Sequence, residues 1–336
     1  MKRFLSVCLL LSLFLSACSA ADREKNESSS IYLTSMDTVM QLTAYGANRE
    51  AALQKAQAEI ERLDDLLSTG KEESDVSHLN RDGSADLSRD TAFLLDQALQ
   101  LYKDTQGLFD ATVYPLVKLW GFYDKNYHVP TGSELESAMA LMGSDRISFD
   151  LSTGHTVLDA GQSIDLGGIG KGYTSQRVTD ILKENGIQSA MVSLGGNVQC
   201  LGTKPDGSSW NIGIRDPFGD SLYCAVSIVD KAVITSGGYE RYFVMDGKTY
   251  LHILDPRTGY PAESGLSSVS IISSDGTLGD GLSTALYIMG LEEASSYWRS
   301  HRTEFDAVFI TDDGTLYATE GLKGSIRSEH EIQFIS

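Results

Sequence analysis

Asp280 and Thr284 stand four residues apart in Asp280–Gly281–Leu282–Ser283–Thr284, a stretch that reads as the opening of a helix after a glycine-containing turn. Residues at that spacing share one helix face, so a carboxylate and a hydroxyl aim at one point. Hard oxygens of this kind suit Mg²⁺ or Ca²⁺ rather than zinc. The competing reading makes Asp280 an N-cap with Thr284 packed beside it. Two oxygens do not specify a metal; a backbone carbonyl and the phosphates of a ligand must complete the shell.

Two further stretches carry candidate chemistry. Asp165–Leu166–Gly167–Gly168–Ile169–Gly170–Lys171–Gly172 places four glycines and a lysine before a helical pattern at 173–182. Glycines admit a close backbone approach, and the amides at a helix start favour phosphate. The plain alternative is a tight turn before a helix. Gly172 stands where a Walker loop needs Ser or Thr, and no G-x-G-x-x-G is present. His252–Ile253–Leu254–Asp255–Pro256–Arg257–Thr258–Gly259 sets one of six histidines just before a turn. A histidine there either accepts a proton from an attacking hydroxyl or holds the turn in place.

Several elements must position these groups. Leu53, Ala56, Ile60, Leu63 and Leu67 recur at spacings of three and four, which predicts a helix over 48–67. A second helix is expected over 88–105, a polar loop or short helix over 74–80, a short helix over 133–142, and a strand over 31–44. Later segments, among them 189–201, 210–215, 224–229, 232–236, 242–244, 250–254 and 269–273, read as strands. Helices over 280–290 and 292–300 follow. Helices dominate early and strands mix in later, so the fold class is α+β.

The chain of 336 residues carries 27 Lys and Arg against 46 Asp and Glu, a net charge of −19. That balance argues against nonspecific nucleic-acid binding and against a polybasic membrane patch. An anionic ligand therefore requires a local cation, a lysine or a metal. At the N-terminus Lys2 and Arg3 precede an apolar run of signal length at 4–14, ending in Leu15–Ser16–Ala17–Cys18. That ending resembles a bacterial lipobox, which implies cleavage before Cys18 and a lipid on its sulfur. The expected organisation is a signal at 1–17, a flexible tether at 18–30 and one domain over 31–336. Cys200 and Cys224 remain, either paired or as buried free thiols.

Taken together the motifs resemble the ApbE-type flavin transferases, the FAD:protein FMN transferases. They are Met36–Asp37–Thr38; Leu67–Ser68–Thr69 with Ser77–His78–Leu79–Asn80; Gly107–Leu108–Phe109–Asp110 with Pro115 and Trp120–Gly121–Phe122; the glycine stretch; Ser193–Leu194–Gly195–Gly196–Asn197; and the His252 and Asp280 segments. The resemblance implies one large mixed domain that uses FAD as substrate. Met36, Leu108, Phe109, Asp110, Asp165, Lys171 and His252 match positions that contact FAD. The Gly168 carbonyl, Asp280 and Thr284 match a Mg²⁺ site, and His252 matches the proposed base. Asp37 stands where glycine is common in the family. The implied reaction moves FMN from FAD to a Thr or Ser hydroxyl of an extracytoplasmic redox protein, releasing AMP, with the enzyme held to the cell membrane through Cys18. The alternatives are a metal-dependent FAD pyrophosphatase and a lipid-anchored FAD carrier.

Overall fold

The computed structural model describes residues 26–336. The signal segment, Cys18 and most of the expected tether lie outside the described residues. The end of that tether does not: Ser28, Ser29 and Ser30 already belong to the first strand, β1 (Ser28–Ser35).

Nine strands form the central sheet. After β1 come β2 (Thr38–Tyr45), β3 (Ser189–Leu194), β4 (Asn197–Leu201), β5 (Ala232–Gly237), β6 (Leu266–Ser273), β7 (Phe305–Thr311), β8 (Leu316–Thr319) and β9 (Ile332–Ile335). Their order across the sheet is their order in the chain. Neighbours run antiparallel except β8 and β9. The expected strand over 31–44 is two strands, turned at Met36 and Asp37 with φ of 48° and 57°. A two-residue hairpin of this hand needs both central residues left-handed, and Asp tolerates that backbone better than most residues other than Gly. Likewise 189–201 is a hairpin, β3 and β4, turned at Gly195 and Gly196.

Alternation along the strands builds two cores. One face of the sheet is covered by α1 (Arg49–Leu67), α3 (Arg89–Asp104), α6 (Gly167–Glu184) and α7 (Gly276–His301), with α2 (Asp75–Asp82), α4 (Tyr114–Leu119) and α5 (Gly132–Met139) at the side. Met40 and Leu42 pack there against Leu53 and Ile60 of α1 and Val178 of α6. Val269, Ile271 and Phe309 meet Leu282 and Leu286 of α7. The alternate residues Ile272, Val308 and Ile310 face the other way, against a three-stranded sheet of Trp210–Arg215, Leu222–Ile228 and Ile326–Ser328. Each such aliphatic side chain contributes about 1.5–3 kcal/mol on burial. The result is an α+β domain, helices on one face and a small sheet on the other.

Cys200 and Cys224 are buried free thiols in that second core, and burial pushes both up to about 12. Gly290, at φ 77° and ψ 171°, breaks α7 where two helices were expected. No helix among the described residues is long and apolar enough to cross a membrane.

Candidate functional site

The glycine stretch is helix rather than loop. α6 starts at Gly167, so the glycines form its first two turns and Lys171 lies within it. Glycine is a poor helix former, and tertiary contact overrides that tendency here. A Cβ on Gly172 would stand 2.1 Å from the Gly276 carbonyl oxygen and 2.6 Å from Asp280 Cβ. Only a bare backbone lets α6 cross α7 this closely. The Gly172 N–H then donates to Asp280 Oδ2 at 2.8 Å.

Asp280 lies inside α7, which begins at Gly276 and is capped by Asp275. The N-cap reading of Asp280 therefore fails, while its helical spacing to Thr284 stands. Asn197 Nδ2, at the start of β4, donates to Asp280 Oδ1 at 3.0 Å. Ser236 Oγ, near the end of β5, lies 2.7 Å from Ser283 Oγ and 3.3 Å from Thr284 Oγ1. Ser283 Oγ donates to the Asp280 carbonyl at 2.8 Å. Two strands and two helices thus fix one carboxylate and a row of hydroxyls.

Gly168 comes to the same place. A Cβ on Gly168 would lie 3.2 Å from Phe109 Cε2, and one on Gly281 would lie 3.5 Å from that same ring atom. The Phe109 ring is the floor on which the start of α6 and the Gly281 turn of α7 meet. Met36 joins from the β1–β2 turn, where its Sδ accepts from Thr174 Oγ1 at 3.7 Å. Leu108 is buried in the core beside Phe109. Asp110 has a structural duty: its Oδ1 accepts from Thr112 N, Thr112 Oγ1 and Ser144 Oγ at 2.6–2.8 Å.

A Mg²⁺ ion can be tested against this donor set. Asp280 is 5% exposed, and among the described residues no cationic side chain pairs with it. Its oxygens each take one neutral hydrogen bond, which leaves lone pairs and an uncompensated charge. A buried carboxylate in that state is costly, and a divalent cation fits the deficit. No group of three or more His, Cys, Asp or Glu that could hold a metal exists among the described residues. The oxygen set is therefore one carboxylate, hydroxyls and a backbone carbonyl, and ligand oxygens have to finish it.

Asp165 precedes α6, and its Oδ1 accepts the Gly167 N–H at 2.7 Å. Protein packed around the carboxyl raises its pKa, an effect partly offset by that amide and by the charges of Lys171 and Arg241. His252 sits at the foot of a hairpin of Tyr242–Met245 and Lys248–Leu251 that forms its own two-stranded sheet. His252 Nδ1 lies 3.0 Å from the Arg241 carbonyl oxygen. A carbonyl only accepts, so Nδ1 carries the proton and Nε2 keeps its lone pair. Burial, then Arg241 and then Lys171 push the imidazole down to about 4, with the bond to the Arg241 carbonyl opposing them. His252 is therefore neutral near pH 7. The turn after it is held by Trp120, whose Nε1 donates to the Gly259 carbonyl at 2.8 Å.

Four residues here went unread in the sequence as site groups: Asn197, Ser236, Glu240 and Arg241. Glu240 is pushed up to about 7, chiefly by burial of its carboxyl and also by Asp280. Asn197 belonged to a quoted motif without a role. Two concavities elsewhere, one beside Tyr45 and Lys204 and one between α4 and α5, contain none of this chemistry.

The arrangement offers an oxygen-rich cation site, two cationic side chains and a neutral imidazole with a free lone pair, which is the equipment of phosphoryl transfer. The model of the ApbE family matches residues 36–309. An FAD:protein FMN transferase of Klebsiella pneumoniae is 36% identical over 258 residues, covering 75% of this chain and 79% of that protein. One of Treponema pallidum is 34% identical over 300 residues, covering 84% and 83%. The crystal structure of the ApbE protein of Thermotoga maritima superposes with a TM-score of 0.83 at 32% identity, covering 88% of this chain and 98% of that one. The Pseudomonas stutzeri flavinyl transferase ApbE does so at 0.80 and 30%, covering 89% and 98%. With matches of this extent, the chain belongs to the ApbE family.

Proposed function

We propose that this protein transfers the FMN half of FAD to a Thr or Ser hydroxyl of another protein and releases AMP. The reading is supported by the hold of the Gly172 amide and Asn197 on Asp280, and by a His252 that feels the charge of Lys171 in α6 while its Nδ1 faces the Arg241 carbonyl. Its relatives named FAD:protein FMN transferase support the substrate and the class of acceptor.

The substrate's diphosphate lies along the first turns of α6, where Lys171 supplies positive charge. Asp280, Thr284 and the Gly168 carbonyl would hold Mg²⁺, with Asn197 and the Gly172 amide fixing the carboxylate's orientation. When bound, that ion neutralises charge on the phosphate oxygens as the anhydride breaks. His252 Nε2 takes the proton of the acceptor hydroxyl. The hydroxyl oxygen bonds to the phosphorus of the FMN half, the P–O bond to the AMP phosphate breaks, and AMP departs with the electron pair. Met36, Leu108 and Phe109 give the flavin end an apolar wall, and Asp165 and Asp110 shape the turn before α6.

The Leu15–Ser16–Ala17–Cys18 sequence supports anchoring through a lipid on Cys18 at the extracytoplasmic face of the membrane, where the acceptor redox protein would be met.

The test is in-gel flavin fluorescence after incubation with FAD, Mg²⁺ and membrane proteins from the source cell. A covalently fluorescent band with stoichiometric AMP is expected, and Asp280→Ala abolishes both. FMN and AMP released with no labelled band would show a pyrophosphatase; FAD bound and returned intact would show a carrier.

A further inference from the structure

We propose that Arg241 grips the substrate's diphosphate alongside Lys171, and that this grip, made from the residue whose carbonyl clamps His252, lets the substrate's own charge ready the imidazole for its proton. The inference rests on the transferase reading of the site and adds a second anion-holding residue and a coupling between binding and base strength.

Position comes first. Arg241 immediately precedes the first strand of the hairpin and His252 immediately follows the second. The His252 amide and Nδ1 both reach the Arg241 carbonyl, at 3.1 Å and 3.0 Å. The two side chains therefore rise from facing steps at the foot of one hairpin. A shift of either foot moves both.

The second point is the absence of a partner. On the same hairpin and the turn after it, Lys248 pairs with Glu263 at 3.1 Å and Arg257 with Asp255 at 2.8 Å. Arg241 is exposed and, among the described residues, its guanidinium has neither a carboxylate nor a carbonyl partner. In a chain of net charge −19, a cation without a mate beside three titratable cleft groups is an anion site in waiting.

The third point is where its charge is felt. Arg241 acts on Asp165 before α6, on Glu240 beside it, and on His252 across the hairpin. Lys171 acts on the same three groups. Two cations from different elements therefore lie within electrostatic reach of the same three groups, one of which, Asp165, immediately precedes α6. A diphosphate carries more charge than one ammonium offsets, and a guanidinium fork matches phosphate oxygens in pairs.

A consequence follows for the base. In the free protein Arg241 and Lys171 hold the His252 imidazole down, behind the larger effect of burial, while Phe122 closes one side at 6.5 Å between ring centroids. An anion bound between the two cations cancels their push. The imidazole gains proton affinity only when the substrate is present.

The test uses the full-length detergent-solubilised protein, Arg241→Gln and Arg241→Lys. Flavin fluorescence reads the binding of FAD and of riboflavin, which lacks phosphate. Arg241→Gln is expected to weaken FAD about ten- to hundredfold, the worth of a charge-assisted contact, and leave riboflavin unchanged. Arg241→Lys recovers part of the loss. NMR of labelled histidine should show the His252 imidazole titrating higher when ADP is added to the wild type, with a smaller rise in Arg241→Gln. Equal weakening of FAD and riboflavin, or unaltered FAD affinity in Arg241→Gln, overturns the grip. An imidazole unmoved by ADP in the wild type overturns the coupling. A wild type that labels no acceptor would defeat the transferase reading instead, and the binding arms would still report on Arg241.

Discussion

The two walls of the cleft are built on opposite principles. On one side α6 and α7 touch backbone to backbone through Gly172 and Gly276, and the Asp280 carboxylate is held by an amide and by Asn197. On the other, the hairpin bearing Arg241 and His252 belongs to no larger sheet and leans on aromatic rings: Phe243 stacks on Tyr127 at 4.7 Å and on Tyr250 at 5.1 Å. The first wall is over-determined by close packing, where a single methyl group is felt. The second is held by stacking and one indole hydrogen bond, which permit adjustment. A cation site needs fixed oxygens; a base that must meet both a dinucleotide and a second protein benefits from give.

That contrast can be broken most severely at the helix crossing. Gly172→Ala puts a methyl group where the Gly276 carbonyl stands, and overpacking of this kind costs about 3 kcal/mol, a Tm drop of roughly 5 °C for a domain of this size. Transfer should vanish with it, since Asp280 is displaced; differential scanning calorimetry and the labelling assay check the pair. On the other wall, His252→Ala should leave Tm within a few degrees and FAD affinity within a few-fold, while slowing transfer by about 10²–10⁴, the usual worth of a general base. If it binds FAD poorly and transfers normally once saturated, the base assignment is wrong.

A milder test is Trp120→Phe, which removes the indole N–H from the Gly259 carbonyl and costs about 1–3 kcal/mol for the orphaned acceptor. The hairpin wall should loosen, so transfer slows severalfold while Mg²⁺ dependence is unchanged. The smallest effect is expected at Glu240. Its folded pKa of about 7 lies above the unfolded 4.5, so the penalty is fully present above pH 7 and gone below 4.5. Glu240→Gln should therefore raise Tm at pH 8 by no more than about 1 °C, the shift being damped by solvent at this exposed residue, and have next to no effect at pH 4.5.

Much of the first wall was legible. The i, i+4 pair Asp280 and Thr284, the amphipathic α1 and the break at Gly290 follow from periodicity and glycine alone. The glycines of α6 were misread because low helix propensity looks like a loop until the crossing helix is in view. Asn197 and Ser236 could not be read, since their meaning is a contact 83 or 47 residues away. Glu240 and Arg241 look like ordinary surface charges in Tyr239–Glu240–Arg241–Tyr242; what sets Arg241 apart is its carbonyl, which receives His252 at the foot of the hairpin. The turn at Met36 and Asp37 lacks the Asn-Gly or Gly pair that announces such hairpins.

Because each strand of the large sheet lies beside its predecessor in the chain, the sheet can grow strand by strand as the polypeptide emerges. The cation pocket cannot, for it waits on α7, more than two hundred residues after Met36. A chain clipped before α7 would keep the first six strands of the sheet yet lose Asp280 and Thr284 together.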